Sequence, residues 1–169
     1  GLYLSRYSDN KEAPTLSDYF ETPEEAVRHY GYLKQVYQSI SAKEVYSSYV
    51  FPWDCVVLTR SDVVLKMAYI AWMTNDIRLR EELCTYLPAL ESYNRASYIG
   101  IVLARTESKV EQEYVLQSLG DRSADIRDEA YKVLSEMSLS PEQYQHIEEL
   151  LRFKYSEMRI NAINLLMKQ

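Results

Sequence analysis

Ile126-Arg127-Asp128-Glu129-Ala130-Tyr131-Lys132-Val133-Leu134 returns thirty-two residues later as Met158-Arg159-Ile160-Asn161-Ala162-Ile163-Asn164-Leu165-Leu166. A weaker copy, Leu79-Arg80-Glu81-Glu82-Leu83-Cys84-Thr85-Tyr86-Leu87, stands forty-seven residues before the first. The shared frame is an aliphatic residue, an arginine, two variable residues, a small or aliphatic residue, and a leucine eight positions after the start. Apolar positions so spaced fall on one face of a helix. Trp72, Leu119 and Leu151 each lie seven residues ahead of their copy. A helix, a short turn and a second helix would repeat one contact in this way. Ala130 and Ala162 are small where paired helices would cross, which lets axes approach to about 8–10 Å. One pair cannot bury its own apolar face, so pairs stack.

The chain around this repeat reads as helix after helix. Residues 1–21 have no clean period and read as an extended lead-in. Thr22-Pro23-Glu24-Glu25 is a helix start, with Thr22 as cap, Pro23 at the first position and Glu25 closing a capping box. That helix runs to about Ser39. Residues 41–60 are ambiguous: Val45 to Phe51 could continue a helix, Pro52 interrupts it, and Trp53 to Thr59 is β-branched yet short enough for a helix. Ser61 is expected to cap a helix through Met73. Further helices are expected over about Asp76–Leu87, Ser92–Ala104, Lys109–Leu119 and Ser123–Met137. One more opens at Ser140-Pro141-Glu142-Gln143, and a last one starts near Ser156. Connections of two to five residues imply antiparallel neighbours. This divides the chain into an N-terminal segment, 1–60, and helical repeats, 61–169. The apolar run Ile160, Ile163, Leu165, Leu166 and Met167 leads to the expectation that further repeats or another domain follow in the parent gene.

Val115-Leu116-Gln117-Ser118-Leu119-Gly120-Asp121 followed by Ile126-Arg127 to Leu134 resembles a HEAT repeat. The stretch from Gly120 to Leu134 is also similar to HEAT-like segments of large bacterial WGR-containing regulatory proteins. The resemblance covers residues 61–169, most clearly 109–169. It implies an all-α, HEAT-like α-solenoid of antiparallel helix pairs with an N-terminal helical segment. In that family an aspartate in the inter-helix turn pairs with the arginine of the second helix, so Asp121 and Arg127 are expected to meet. The other copies carry Thr74 and Phe153 at the aspartate position, which breaks a continuous ladder. HEAT-like di-iron hydroxylases use His-Glu dipeptides. Here Tyr30 follows His29 and Ile147 follows His146, which excludes that subfamily.

Composition narrows the rest. Glycine and proline number only nine among 169 residues, against an average usage near 12%. So few turn formers cannot serve a β-sandwich or barrel. The net charge is −6, the wrong sign for phosphate neutralisation. Arg78, Arg80, Arg95 and Arg105 are the best basic candidates, and solvation with glutamate pairing accounts for them. No apolar run reaches the ~18 residues of a membrane span. No signal peptide is visible at Gly1–Asn10. Two cysteines, Cys55 and Cys84, do not make a disulfide framework and read as buried thiols. A cytoplasmic setting follows.

Sites of chemistry do not emerge. Glycines 1, 31, 100 and 120 form no phosphate-cradling loop. His29 and His146 lack any metal-ligand spacing and read as helix-surface residues. The acid pairs Glu24-Glu25, Glu81-Glu82 and Glu148-Glu149 point about 100° apart on helices and cannot be facing dyads. No cofactor is expected and no enzyme. Tyrosine supplies sixteen of the twenty-one aromatic residues, eight of them among the first fifty (Tyr3, Tyr7, Tyr19, Tyr30, Tyr32, Tyr37, Tyr46 and Tyr49). These rings are expected to pack the N-terminal helix onto the repeats. The surplus also suits recognition. The expected function is a non-enzymatic scaffold that binds a protein or peptide. The alternatives are a nucleic-acid-acting HEAT-like module, opposed by the charge, and an accessory helical domain of a larger enzyme. The second helices of the copies would line the binding face, which nominates Arg80, Glu81, Asp128, Tyr131, Lys132 and Asn164.

Overall fold

The computed structural model describes residues 15–41, 46–51, 54–152 and 156–167, without the side chains of 46–57. Expectations for residues 1–14 of the lead-in, including Tyr3 and Tyr7, for Trp53 and Phe153, and for the side chains of Tyr46, Tyr49 and Cys55 lie outside the described residues. The described chain is helical apart from one hairpin. In order it forms α1 (Pro23–Ser39), β1 (Tyr46–Phe51), β2 (Asp54–Leu58), α2 (Arg60–Thr74), α3 (Ile77–Leu83), α4 (Ser92–Ile101), α5 (Lys109–Ser118), α6 (Ala124–Glu136), α7 (Pro141–Leu150) and α8 (Ser156–Leu166). No helix among the described residues is long and apolar enough to cross a membrane.

In residues 41–60, where the sequence is ambiguous, the structure forms a hairpin. β1 and β2 pair antiparallel, Tyr46 opposite Leu58 and Phe51 opposite Asp54, with an irregular register between Tyr49 and Phe51. Val50, Val56 and Val57, with the neighbouring aromatics, are residue types that favour a pleated surface over a helix.

The chain divides into two compact units, one running from Glu12 to Glu91 and the other taking Ser92–Gln169. Within the first of these units α2 packs with α1 and α3. Val63, Val64, Met67, Ala68, Tyr69, Ile70, Ala71 and Trp72 of α2 are all buried, and a helix apolar on every side needs cover on every side. α1 and α3 supply it. Thr59, not Ser61, caps α2: its hydroxyl accepts from the Asp62 amide at 3.2 Å and Asp62 accepts from the Thr59 amide at 2.8 Å. The Ser61 hydroxyl instead accepts from the Glu91 amide at 3.0 Å. At the other end Asn75 takes a left-handed conformation, φ 49°, which asparagine tolerates better than most residues.

Tyrosine does much of the packing in this first unit. Tyr30 is buried and donates to the Leu79 carbonyl at 3.3 Å. Burial and the nearby Glu82 charge push its hydroxyl well above the ordinary tyrosine range, so it stays protonated. Lys34 pairs with Glu82. Tyr37 stands edge-on to Tyr86, ring centres 5.0 Å apart, and the Arg60 guanidinium lies 4.7 Å above the Tyr37 ring. Tyr19 and Tyr32 remain exposed. Thr22 caps α1 as its sequence implies, but Glu25 reaches back to the Glu21 amide rather than to that of Thr22.

In the second unit α6 packs against α4, α5 and α8, while α7 packs against α5 and α8. The repeat frame decides what is buried. Ile126, Ala130, Val133 and Leu134 face inward on α6, and Met158, Ala162 and Leu165 do so on α8. The weak copy at Leu79 is not one helix: α3 stops at Leu83, and Leu87 begins a 3-10 turn carrying Pro88. Pro88 removes a backbone donor and ends the run. Ser140 and Gln143 form the expected capping box on α7. Ser108 and Glu111 make a similar start on α5, where the Glu111 amide donates to the Ser108 hydroxyl at 3.4 Å. Glu111 is fully buried, and the Thr106 hydroxyl donates to its carboxylate.

Asp121 and Arg127 do not form the expected side-chain pair. The Asp121 carboxylate accepts from Arg95 of α4 at 2.9 Å and also holds the Ser123 amide at 2.9 Å. Arg127 donates to the Asp121 backbone carbonyl at 3.0 Å and pairs with Glu157 of α8 at 2.9 Å. A polar chain thus runs from α4 through the α5–α6 turn and α6 to α8. The HEAT-type pairing fails because α4, inserted ahead of α5, brings a competing guanidinium to the same carboxylate.

Ala130→Glu puts a charge at a fully buried position, which costs about 3 kcal/mol or more. The melting temperature should fall by about 6 °C or more. The same change at exposed Asn164 should leave it within about 2 °C; equal melting of both variants would show the inferred burial of the repeat to be wrong. Arg95→Leu strands the half-buried Asp121 carboxylate and should cost about 1–2 kcal/mol. Glu157→Gln, at a half-exposed partner, should cost less than about 1 kcal/mol. Urea titration of the two variants checks the ranking.

Candidate functional site

α4 and α6 lie side by side, and small residues hold them close. On α4 the positions Tyr93, Ala96, Ser97 and Gly100 recur every three or four residues and share one face. On α6 Asp125, Asp128, Glu129 and Lys132 do the same. The apolar stripe of α6 already faces the core, so this second stripe faces outward. The two faces enclose an open groove of about 480 Å³, walled by these eight residues and Ile101.

Gly100 shapes the groove. A Cβ on it would stand 2.5 Å from the Glu129 carboxylate, so any larger residue would force that flexible carboxylate to shift. Glu129 accepts from Lys132 at 2.6 Å. This hydrogen bond, with help from the Asp128 charge, holds the Lys132 ammonium above the ordinary lysine range. The pair is too exposed to contribute more than about 0–1 kcal/mol. Asp125 and Asp128 are exposed and have no hydrogen-bond or ion-pair partner among the described residues. Tyr93 is 54% exposed at one end of the groove. The wall therefore offers three carboxylates against one ammonium, beside a small apolar floor and an accessible ring.

The six residues nominated from the sequence fall into separate places. Asp128 and Lys132 line the groove. Tyr131 is half-buried on α6 outside the lining, and Asn164 is exposed on α8. Arg80 and Glu81 sit on α3 in the first unit, where Arg80 donates to the Asn75 side chain at 2.8 Å. Tyr93, Gly100, Asp125 and Glu129 were not nominated. The three-and-four spacing on Ser92–Ala104 was legible, but nothing in one sequence said that this helix faces α6. The other basic candidates are mostly paired, Arg78 with Asp76 and Arg95 with Asp121. Among the described residues no three His, Cys, Asp or Glu come close enough to hold a metal ion. His29 packs beside Phe20, and His146 lies 3.7 Å from Glu113.

Gly100→Ala should expel the Glu129 carboxylate from its seat while leaving the helix intact, since alanine is the better helix former by about 1 kcal/mol. The Lys132 ammonium should then titrate closer to an ordinary lysine. Side-chain NMR of Lys132 across alkaline pH reads the change; an unaltered titration would mean that Gly100 does not seat the pair.

Among curated proteins and among solved structures nothing matches the chain. A family model does match, over residues 1–169, and the chain belongs to the family described as Family of unknown function (DUF5724).

Proposed function

We propose that this chain is a non-enzymatic module that binds a protein or peptide, with the α4–α6 groove as the place where it does so. The observation that carries the reading is the groove itself: an open concavity of about 480 Å³, within the range of ligand-binding clefts, with an exposed tyrosine at its edge. Tyrosine gives contact area at low entropic cost and is enriched at interfaces. A HEAT-like solenoid is part of the same proposal. It is supported by the order of packing in the second unit, where α5 lies against α7, and α6 lies against both α4 and α8. First helices then neighbour first helices, and second helices neighbour second helices. A cytoplasmic setting fits the two-cysteine composition.

The test is quantitative capture from the native host with the full chain and three charge-reversed variants. Asp128→Lys and Lys132→Glu alter the groove; Arg80→Glu alters α3. Loss of the same partners with Asp128→Lys, changed recovery of them with Lys132→Glu, and their retention with Arg80→Glu is the expected result. Identical recovery by all four proteins would overturn the groove as the binding site. A stoichiometric metal or nucleotide in the purified chain would overturn the non-enzymatic reading.

A further inference from the structure

We infer that the occupant of the α4–α6 groove is an extended, basic peptide segment, with an arginine or lysine of that segment seated between Tyr93 and the Asp125–Asp128 edge of α6. The inference rests on the binding reading above and adds the chemistry of the partner. Three features of the groove carry it.

The first is charge complementarity. Asp125 and Asp128 are exposed carboxylates without partners among the described residues, and both lie on the groove wall. The one cation in the wall, Lys132, is already engaged by Glu129. The unanswered charge is therefore negative, and a like-charged segment would be repelled at close range. The second is the ring. Tyr93 opens onto the same space and is 54% exposed. A guanidinium or ammonium over a tyrosine face gains cation–π attraction. The third is shape. The groove is open to solvent and is lined on α4 from Tyr93 to Ile101, a span of roughly 12 Å at 1.5 Å per residue. That accommodates about four residues of extended chain at 3.3 Å each. Asp125 and Asp128 stand about one turn apart on α6, and among the described residues the carboxylates form no metal-holding group. Such spacing suits charges strung along a peptide better than a single small cation.

Glu129 and Lys132 then have a role in the free protein. Their pair keeps Lys132 turned onto its own helix instead of across the groove. Gly100 permits this by leaving room for Glu129.

An array of basic, neutral and acidic twelve-residue peptides, probed with the full chain, tests the inference. Hits are re-measured by isothermal calorimetry in 0.15 M and in roughly 0.5 M salt, where exposed charges are more strongly screened. The double variant Asp125→Asn/Asp128→Asn removes the charge. Both positions are exposed, and its melting curve confirms that the fold persists. Ser97→Trp fills the groove without altering its charge. The expected result is selective binding of Arg- or Lys-containing peptides, weakened about tenfold or more by the double variant, weakened by salt, and blocked by Ser97→Trp. If neutral or acidic peptides bind best and Ser97→Trp blocks them, the charge inference falls while the groove remains a binding site. If no peptide binds, or binding ignores both variants, the groove reading falls as well.

Discussion

α6 can pack only if its buried edge stays narrow. Ile126, Ala130, Val133 and Leu134 lie inward on this one helix, and three other helices lean on it. A side chain larger than alanine at the middle of that edge would push at least one of them away. The limit is steric before it is hydrophobic: tightly packed interiors hold few voids larger than water. Because the edge is narrow, α4 comes close enough for its own small residues, Ala96 and Gly100, to face α6. The groove is the outer side of that close approach. Core and candidate site are therefore two faces of one geometric condition.

The polar chain from Arg95 to Glu157 sits at the margin of the same packing. Its arginines are largely covered, their side chains only 13% and 14% exposed. Covered charges need partners with good geometry, or their desolvation goes uncompensated. Here the partners come from three helices and one turn, so the chain of contacts registers those elements against each other. It adds orientation to a core whose apolar contacts are mostly non-directional.

Local signals were readable from the sequence, and long-range ones were not. Thr22-Pro23 and Ser140-Pro141-x-Gln143 declare helix starts because a cap needs only residues three apart. Ser108-x-x-Glu111 carries the same pattern, but burial of the glutamate depends on what covers it. The repeat frame from Ile126 to Leu134 marked the inward positions of α6 and α8, since burial follows period. The partner of Asp121 was not legible. Spacing pointed to Arg127, and the carboxylate took Arg95 from a helix twenty-six residues away. The hairpin was hidden for a related reason: short apolar runs satisfy both a strand and a helix. Half of the groove was legible on α6 through Asp128 and Lys132. The α4 half, Tyr93 and Gly100, depended on which helix lies opposite, and periodicity does not encode that.

The packing order of the second unit also bears on how quickly it can form. α4 meets α6, α5 meets α6 and α7, and α6 and α7 both meet α8. Each helix finds its partners one or two elements along the chain, so only short loops must close before contacts form. Closure entropy grows with loop length, and folds rich in local contacts cross their barrier in microseconds to milliseconds. The hairpin of the first unit is equally local. Among the described residues the only sheet is this hairpin, so no strand there waits on a distant one to pair.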